Sequence, residues 1–182
     1  DSDHAGDLQG FLQNVEVEKI VAGEVMDISR KYDLCQSGQR WQWQQTVFEF
    51  ISPDRHPVKD NNASCVLRVE HGENTLLLTG DIERAVERRL LKSFRQKLPA
   101  EVVLVPHHGS KSSSSNVFIR QADPDLAVAT ASLGNRFDFP RPETRQRYEF
   151  RGSRFLSTSD CGAIRLRLRA GGDIAATSAR KA

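Results

Sequence analysis

Two consecutive histidines follow a short apolar run near the middle of the chain. Residues 102–115 are Val-Val-Leu-Val-Pro-His-His-Gly-Ser-Lys-Ser-Ser-Ser-Ser. The four apolar residues predict a buried strand, which Pro106 ends, and Gly109 gives the backbone freedom to turn. A buried strand that ends in paired imidazoles is a rigid mount for a metal ligand or a general base, so His107 and His108 are candidates for both roles.

Carboxylates and a further histidine occupy comparable positions elsewhere in the sequence. Asp1, Asp3 and His4 lie in the loop before a predicted helix. Asp81 follows a predicted strand directly after Gly80. Each carboxylate also fits ordinary capping at a helix N-terminus. If these groups converge from their separate elements, they would form a hydrolytic metal centre, in which a bound ion lowers the pKa of water to about 7.

The pattern of apolar residues predicts the elements that position these groups. Predicted strands cover residues 17–22, 39–45, 46–51, 64–70, 75–79, 102–105, 126–131, 154–157 and 163–168, and predicted helices cover residues 26–32, 82–98, 116–121 and 143–151, with one more starting near Gly6. This order of hairpins, helices and strands predicts a mixed α/β sheet with a helical layer and a site along one edge. Residues 171–182 are small, polar and aperiodic, which predicts a flexible, frayed tail.

Composition limits the class of protein. The chain has 182 residues, of which 38% are hydrophobic and 27% charged, with a formal net charge of +2, and this predicts one domain of soluble composition. The longest apolar runs are too short to span a bilayer. The sequence contains no phosphate-loop or dinucleotide-binding motif, so no nucleotide cofactor is expected.

The cysteines and tryptophans are interpreted mainly as structural residues. No pair of cysteines has the Cys-x-x-Cys spacing of a zinc ribbon. Cys65 and Cys161 lie in apolar stretches and are interpreted as buried thiols, while the presence of a disulfide, with Cys35 as the third cysteine, is left open. Trp41 and Trp43 are two residues apart, as on one face of a half-buried strand, and are assigned to the core rather than to a binding surface.

Three motifs in a fixed order resemble the metallo-β-lactamase superfamily. They are Asp-x-Asp-His-Ala-Gly at residues 1–6, Leu-Leu-Thr-Gly-Asp at residues 77–81 and Val-Pro-His-His-Gly-Ser-Lys at residues 105–111. Asn61-Asn62-x-Ser64, the serine run and the segment 135–143 are similar to the C-terminal domain of ComEC competence proteins. The resemblance covers roughly residues 1–168. It implies an αββα sandwich, assigned here to residues 1–170, with a metal site at one edge of the sheets.

The resemblance also implies an enzymatic function. In this family the lactamase-like domain belongs to an inner-membrane DNA channel and is thought to degrade the strand that is not imported during natural transformation. The implied cofactor is manganese or zinc, as one or two ions. The implied partners are DNA, bound mainly through its phosphates, and the membrane-channel portion of the same polypeptide. The implied location is the extracytoplasmic side of the inner membrane.

Matching the motifs residue by residue implies a set of site residues. The implied metal ligands are Asp1, Asp3, His4, Asp81 and His107. The implied catalytic residues are Asp3, His108 and Lys111. Lysine near a scissile phosphate offsets charge in the transition state. The implied phosphate-facing residues are Ser110, Lys111, Ser112 and Arg136, while Phe137 and Phe139 are candidates to stack bases.

The chain also departs from the motif pattern. A histidine two residues before Asp1 and the first strands of the sandwich are lacking, so the domain is expected to be truncated at its N-terminus. Ser52 and Phe139 stand where relatives often carry histidines. Two alternatives to a nuclease therefore stay open: a catalytically silent domain that guides DNA or supports the channel, and a metallohydrolase of another phosphoester.

Overall fold

The computed structural model of this chain describes residue 4 and residues 6–54 and 58–180. The strands are β1 Val21–Ala22, β2 Asp33–Leu34, β3 Arg40–Trp43, β4 Thr46–Ser52, β5 Val66–His71, β6 Asn74–Leu78, β7 Val102–Leu104, β8 Leu126–Ala129, β9 Arg154–Ser157, β10 Ile164–Leu168 and β11 Ile174–Ser178. The helices are α1 Leu8–Asn14, α2 Arg84–Ser93, α3 Asn116–Ala122, α4 Pro142–Glu149 and α5 Thr158–Cys161. Short 3-10 turns cover Asp60–Ala63, Arg95–Lys97 and Pro106–Gly109.

A mixed sheet frames the fold, with β3 to β9 neighbouring one another in chain order. Strands β3 to β6 pair antiparallel, and Val69 of β5 lies opposite both Phe48 and Leu76. Strands β6 to β9 pair parallel, with Leu76 opposite Val102. Because parallel strands end at the same edge of a sheet, the segments that follow β6, β7, β8 and β9 meet there. The predicted mixed α/β class, the hairpin over 64–79 and the β-α-β unit are confirmed.

Alternate residues of the strands serve two apolar layers. One layer packs the strands against α2, α3 and α4, and it contains Ile51, Val66, Leu77, Val86, Leu90, Val103, Phe118, Ile119, Ala127 and Tyr148. The other packs the hairpin of β10 and β11 against the sheet, and it contains Val102, Leu126, Val128, Leu156, Ile164, Leu166, Ile174 and Ala176. Burying a large apolar side chain contributes roughly 1.5–3 kcal/mol, so the strand ends that carry the polar groups are firmly held.

Two segments differ from their sequence predictions. Residues 26–32 form an irregular loop rather than a helix. The Tyr32 hydroxyl closes this loop, since it accepts from the backbone N–H of Met26 at 2.8 Å and donates to the Met26 carbonyl at 3.1 Å. Residues 171–180 include strand β11, whose residues Ile174 and Ala176 pack against the sheet, instead of the predicted frayed tail. The alternation that marks β11 is weak because four of its five residues are small or polar.

The helix after β6 and the tryptophans of β3 also differ from their sequence predictions. Helix α2 ends at Ser93 and a 3-10 turn follows it, so the regular helix is shorter than the predicted 82–98. Trp41 and Trp43 are 43% and 71% exposed, so their assignment to the core is wrong. Strand β3 lies at the edge of its sheet, and Trp41 stacks on Phe48 with ring centroids 5.2 Å apart. Among the described residues, no helix is long and apolar enough to cross a membrane.

A disulfide links Cys35 and Cys65, which corrects the interpretation of Cys65 as a thiol. Cys161 is a buried thiol, as predicted. The bridge joins the loop after β2 to the segment before β5, across a sequence separation of 30 residues. Sequence spacing alone does not determine such a pairing, because the distance between the two loops is set by the sheet.

Reducing this disulfide is expected to lower the free energy of unfolding by about 2–4 kcal/mol, because the unfolded chain gains the freedom that the bridge removes. Urea unfolding of the wild type with and without reductant measures the loss. The Cys161→Ala variant keeps the bridge and should show the same loss, whereas Cys65→Ser should not respond to reductant. Equal midpoints for the wild type in both conditions would contradict the prediction.

Candidate metal centre

The turn after β7 presents both histidines from an unusual backbone. His107 and His108 adopt left-handed conformations, with φ of 51° and 53°. Such conformations cost of order 1–3 kcal/mol each for ordinary residues and are concentrated at functional sites. Gly109 follows with φ of 86°, and a Cβ there would lie 2.5 Å from Cβ of Pro140. The turn therefore requires glycine at 109 and fixes the directions of the two imidazoles.

Three side chains from separate elements meet at the edge where the parallel strands end. Nε2 of His4 lies 3.2 Å from Oδ2 of Asp81, and Nε2 of His108 lies 3.5 Å from the same oxygen. One ligand atom from each residue lies within 4.8 Å of the other two. We call these residues the His–Asp cluster. The convergence of His4, Asp81 and an imidazole of the histidine pair agrees with the predicted position of a metal site.

The ring of His108 is oriented by the residue that directly follows β8, the strand next to β7. Its Nδ1 lies 2.7 Å from the carbonyl oxygen of Thr130 and 3.2 Å from the Thr130 hydroxyl. A carbonyl oxygen only accepts, so Nδ1 of His108 carries the proton and donates. Nε2 then faces Asp81. Metal-binding histidines are commonly held in this way, with the second ring nitrogen donating to a carbonyl or a carboxylate.

The carboxylate of Asp81 is positioned by its backbone and kept ionised by its neighbours. Its N–H donates to Oγ of Ser64 at 3.0 Å, and the preceding Gly80 has φ of 55°. Burial by itself raises the pKa of Asp81. The hydrogen bond and charge of His108, with smaller contributions from His4 and His107, outweigh burial and hold that pKa below its ordinary value. Asp81 is therefore a carboxylate at neutral pH.

The chemistry of the His–Asp cluster fits a divalent ion. With the proton of His108 on Nδ1, a neutral imidazole directs the Nε2 lone pair toward the Asp81 carboxylate. A cation between them would stabilise that arrangement of two electron-rich groups. When His108 is instead protonated on both nitrogens, its charge and its Nε2–H stabilise the ionised Asp81 directly. Two imidazole nitrogens and one carboxylate oxygen are ligands that suit zinc and manganese. His4, Asp81 and His108 would hold the ion.

His107 lies outside the His–Asp cluster, and Phe139 packs against the rings of both histidines. Nδ1 of His107 lies 3.5 Å from Oε1 of Glu83 and 3.3 Å from Oγ of Ser112. Phe139 lies edge-on to His107 and nearly parallel to His108, with centroid distances of 5.9 and 6.4 Å. The motif implies His107 as the ligand, whereas it is His108 whose Nε2 lies near Oδ2 of Asp81 in the structure. The implied ligands Asp1 and Asp3 lie outside the described residues.

The segment Ser110–Ser115, here called the serine loop, borders the His–Asp cluster. Ser110 is buried and bonds Ser112 through their hydroxyls at 3.1 Å, while Lys111 is exposed. Arg84 of α2 reaches this loop, with its Nη2 donating to the carbonyl of Lys111 at 3.0 Å. The implied phosphate-facing residues 110–112 thus lie beside the cluster, together with Arg84, which the motifs do not mark.

A buried polar network from α2 and α4 holds the backbone of the serine loop in place. Both oxygens of the fully buried Glu87 accept backbone N–H bonds, one from Ser114 and one from Ser115. Arg147 of α4 donates to the carbonyls of Ser113 and Ser114 at 3.2 and 2.6 Å. We did not predict this network from the sequence. The sequence contains one local sign of it: Glu87 lies three residues before Leu90, and therefore on the apolar face of α2.

A cleft of about 450 Å³ borders the His–Asp cluster. His4, Ser64 and Asp81 are among its polar lining residues. Its remaining lining includes the apolar residues Leu8, Ile20, Val21, Ala22 and Met26. Two members of the cluster, His4 and Asp81, therefore border a cleft, while the third, His108, lies against the ring of Phe139.

Comparisons with known proteins agree with this geometry. The family model of the metallo-beta-lactamase superfamily matches residues 1–131. "Competence protein ComA" of Neisseria gonorrhoeae is 35% identical over 94% of this chain and 25% of its own length. "Recombination protein 2" of Haemophilus influenzae is 30% identical over 91% of this chain and 21% of its own length. "ComE operon protein 3" of Bacillus subtilis is 30% identical over 92% of this chain and 23% of its own length.

The chain thus spans about a quarter of the length of these curated relatives. The matched region contains all three members of the His–Asp cluster and the strands that carry Asp81 and His108. In the mixed sheet, Asp81 and His108 lie shortly after the ends of the neighbouring parallel strands β6 and β7. The chain belongs to the metallo-beta-lactamase superfamily.

Proposed function

We propose that this chain is the metal-dependent nuclease domain of a ComEC-like DNA-uptake channel, which degrades the strand that is not carried inward. The observation that carries the proposal is the His–Asp cluster, where His4, Asp81 and His108 converge at the sheet edge. Groups of this kind hold the divalent ions of hydrolytic sites. The names of the relatives, a competence protein and a recombination protein, support DNA as the substrate.

The disulfide supports an extracytoplasmic position for the domain. Disulfides such as Cys35–Cys65 persist in oxidising surroundings, including the bacterial periplasm, and are rare in the cytosol. A domain that degrades the non-transported strand would act on that side of the inner membrane, before DNA enters the cell. The remaining three quarters of the relatives' length would supply the membrane channel in this proposal.

Each residue of the site has a role in the proposed cleavage. A divalent ion, when bound by the His–Asp cluster, supplies a water of lowered pKa and offsets negative charge on the phosphate. Thr130 holds His108 in the tautomer that directs Nε2 toward the ion. Glu83 faces Nδ1 of His107 and thereby orients that imidazole to move a proton. Arg84 and Lys111 provide positive charge for the phosphate.

Metal-dependent cleavage of linear DNA tests this function. The protein is incubated with single-stranded and double-stranded DNA, with manganese, with zinc or with a chelator. We expect cleavage that requires the metal and that is lost in His4→Ala and in His108→Ala. The Asp173→Asn variant, in the exposed turn between β10 and β11, should cleave like the wild type. Absence of cleavage with every divalent ion would overturn the nuclease and favour the silent DNA-guiding domain.

A further inference from the structure

We propose that Arg136, Phe137 and Phe139, here called the aromatic platform, form a binding site for unpaired nucleobases next to the His–Asp cluster. This inference rests on the proposed function, because it names single-stranded DNA as the form of the substrate that the site takes. The platform belongs to the loop between β8 and α4. It would bind a base of the strand whose neighbouring phosphate lies at the cluster.

The rings of the platform lie in a nearly parallel series that leads to the cluster. The centroids of Phe137 and Phe139 are 5.4 Å apart, and their planes differ by 22°. Phe139 and His108 follow at 6.4 Å, again with planes 22° apart. The guanidinium carbon of Arg136 lies 4.6 Å from the centroid of Phe137. A base that stacks on Phe137 would extend this series of rings, whose other end is His108, a proposed metal ligand.

The loop holds the platform in a fixed conformation. The side-chain amide of Asn135 donates to the carbonyls of Ser132 and Phe139 at 2.9 and 2.7 Å, and its oxygen accepts the N–H of Phe139 at 2.9 Å. The N–H of Arg141 donates to the carbonyl of Gly109 at 3.0 Å, which ties the loop to the histidine turn. A site that is already ordered loses little entropy when it binds a ligand.

The exposed apolar side chains of this ordered loop indicate a binding surface. Phe137 is 49% exposed and Leu133 is 75% exposed, although the loop is fixed by internal hydrogen bonds. Exposed apolar side chains in an ordered loop beside a polar site mark a binding surface. Phe139 is half-buried between Phe137 and His108, so the outer ring of Phe137 is the accessible end of the series.

The chemistry of the surroundings favours a base over an apolar protein segment. Arg136 supplies a planar cation at the platform itself, while Lys111 and Arg84 provide further positive charge on the serine loop side. Nucleobases stack on aromatic rings and on guanidinium planes, and their phosphates are attracted by such cations. Paired bases are stacked inside a duplex and do not present their faces, so the platform selects single strands.

Binding of matched oligomers distinguishes recognition of the bases from recognition of the phosphates. The probes are a labelled oligothymidylate, an abasic oligomer of the same length and backbone charge, and a duplex of that length. Affinities are measured by fluorescence anisotropy at one salt concentration with a chelator, so that cleavage cannot interfere. We expect the wild type to bind oligothymidylate at least about fivefold more tightly than the abasic oligomer, because stacking of one base is worth a factor of this order or more.

Variants of Phe137 connect that preference to the platform. Phe137→Ala should bind both oligomers with the weaker affinity of the abasic one, and Phe137→Trp should retain the preference. Phe150→Ala removes another exposed phenylalanine, which is 91% exposed at the end of α4, and should behave like the wild type. Affinity for manganese should be unchanged in Phe137→Ala, because a role confined to orienting the histidines would alter it.

The outcomes separate this inference from the proposed function. Equal affinity of the wild type for oligothymidylate and the abasic oligomer overturns the platform, as does an unchanged preference in Phe137→Ala. Metal-dependent cleavage combined with either result leaves the nuclease standing without the platform. A base preference that depends on Phe137, in a protein that cleaves nothing, supports the platform and rejects the nuclease.

Discussion

Replacing Asp81 with asparagine is expected to weaken divalent-metal binding by at least about 100-fold and to abolish metal-dependent cleavage of DNA. The carboxylate lies within 3.5 Å of Nε2 of both His4 and His108, so it supplies the negative charge of the His–Asp cluster. Asparagine keeps the shape and the backbone bond to Ser64 but removes that charge. Isothermal titration with manganese and with zinc measures the loss of binding.

The controls for Asp81→Asn separate loss of the ligand from loss of the fold. Thermal unfolding without metal should change little, since the exchange preserves side-chain volume. Asp173→Asn removes a carboxylate from an exposed turn far along the chain and should bind metal like the wild type. Wild-type affinity in Asp81→Asn would show that the ion, if bound, uses a different set of residues.

The same titration decides between the two histidines of the turn. His108→Ala should weaken metal binding about as much as Asp81→Asn, because His108 contributes an Nε2 that faces the carboxylate. His107→Ala should leave metal affinity within a few fold, since its ring faces Glu83 and Ser112. The opposite result would restore His107 as the ligand that the motif implies.

The sequence marks the histidine pair but does not distinguish its members. Two consecutive left-handed residues send their side chains in different directions, and motif spacing carries no information on which imidazole faces the carboxylate. The partner that orients His108 is Thr130, 22 residues further along the chain and directly after the next strand, β8. Only the pairing of β7 with β8 brings it within hydrogen-bond distance.

The fold is predictable where local periodicity is strong. The alternation in residues 64–79 predicts the hairpin of β5 and β6, and the apolar stripe after Asp81 predicts α2 and its return to the sheet. Prediction from the sequence fails where contacts between distant parts of the chain determine the structure. The disulfide of Cys35 and Cys65 and the pairing of β11 with β10 depend on distances that no local pattern encodes.

The support of the site is harder to predict than its ligands. Motif residues are recognisable because their chemistry limits the residue type, as at Asp81 and His108. Glu87 acts instead by accepting backbone N–H groups of the serine loop, which any residue type would offer. Its importance therefore follows from its burial and from the two bonds that it accepts.

Glu87→Leu is expected to lower the free energy of unfolding by about 2–5 kcal/mol, because it leaves two buried N–H groups of the serine loop without acceptors. Leucine has a similar volume, so the loss comes from those unsatisfied donors rather than from a cavity. Arg88→Gln changes the exposed neighbour on α2 and should alter stability by at most about 0.5 kcal/mol. Urea unfolding compares the three proteins, and equal stability of Glu87→Leu and the wild type would contradict this role.

The pH dependence of stability tests the surroundings of Glu87 independently. Burial raises its pKa above the ordinary value of 4.5, and the bonds from Ser115 and Ser114 only partly offset that effect. The folded protein therefore binds this proton more tightly than the unfolded chain does. The resulting stability is fully present below pH 4.5 and is lost as pH rises through the raised pKa. Glutamine at 87 does not titrate, so the stability of the wild type relative to Glu87→Gln should fall as pH increases toward neutrality. A relative stability that instead rises with pH would mean that the loop N–H groups, rather than burial, dominate the pKa of this carboxylate.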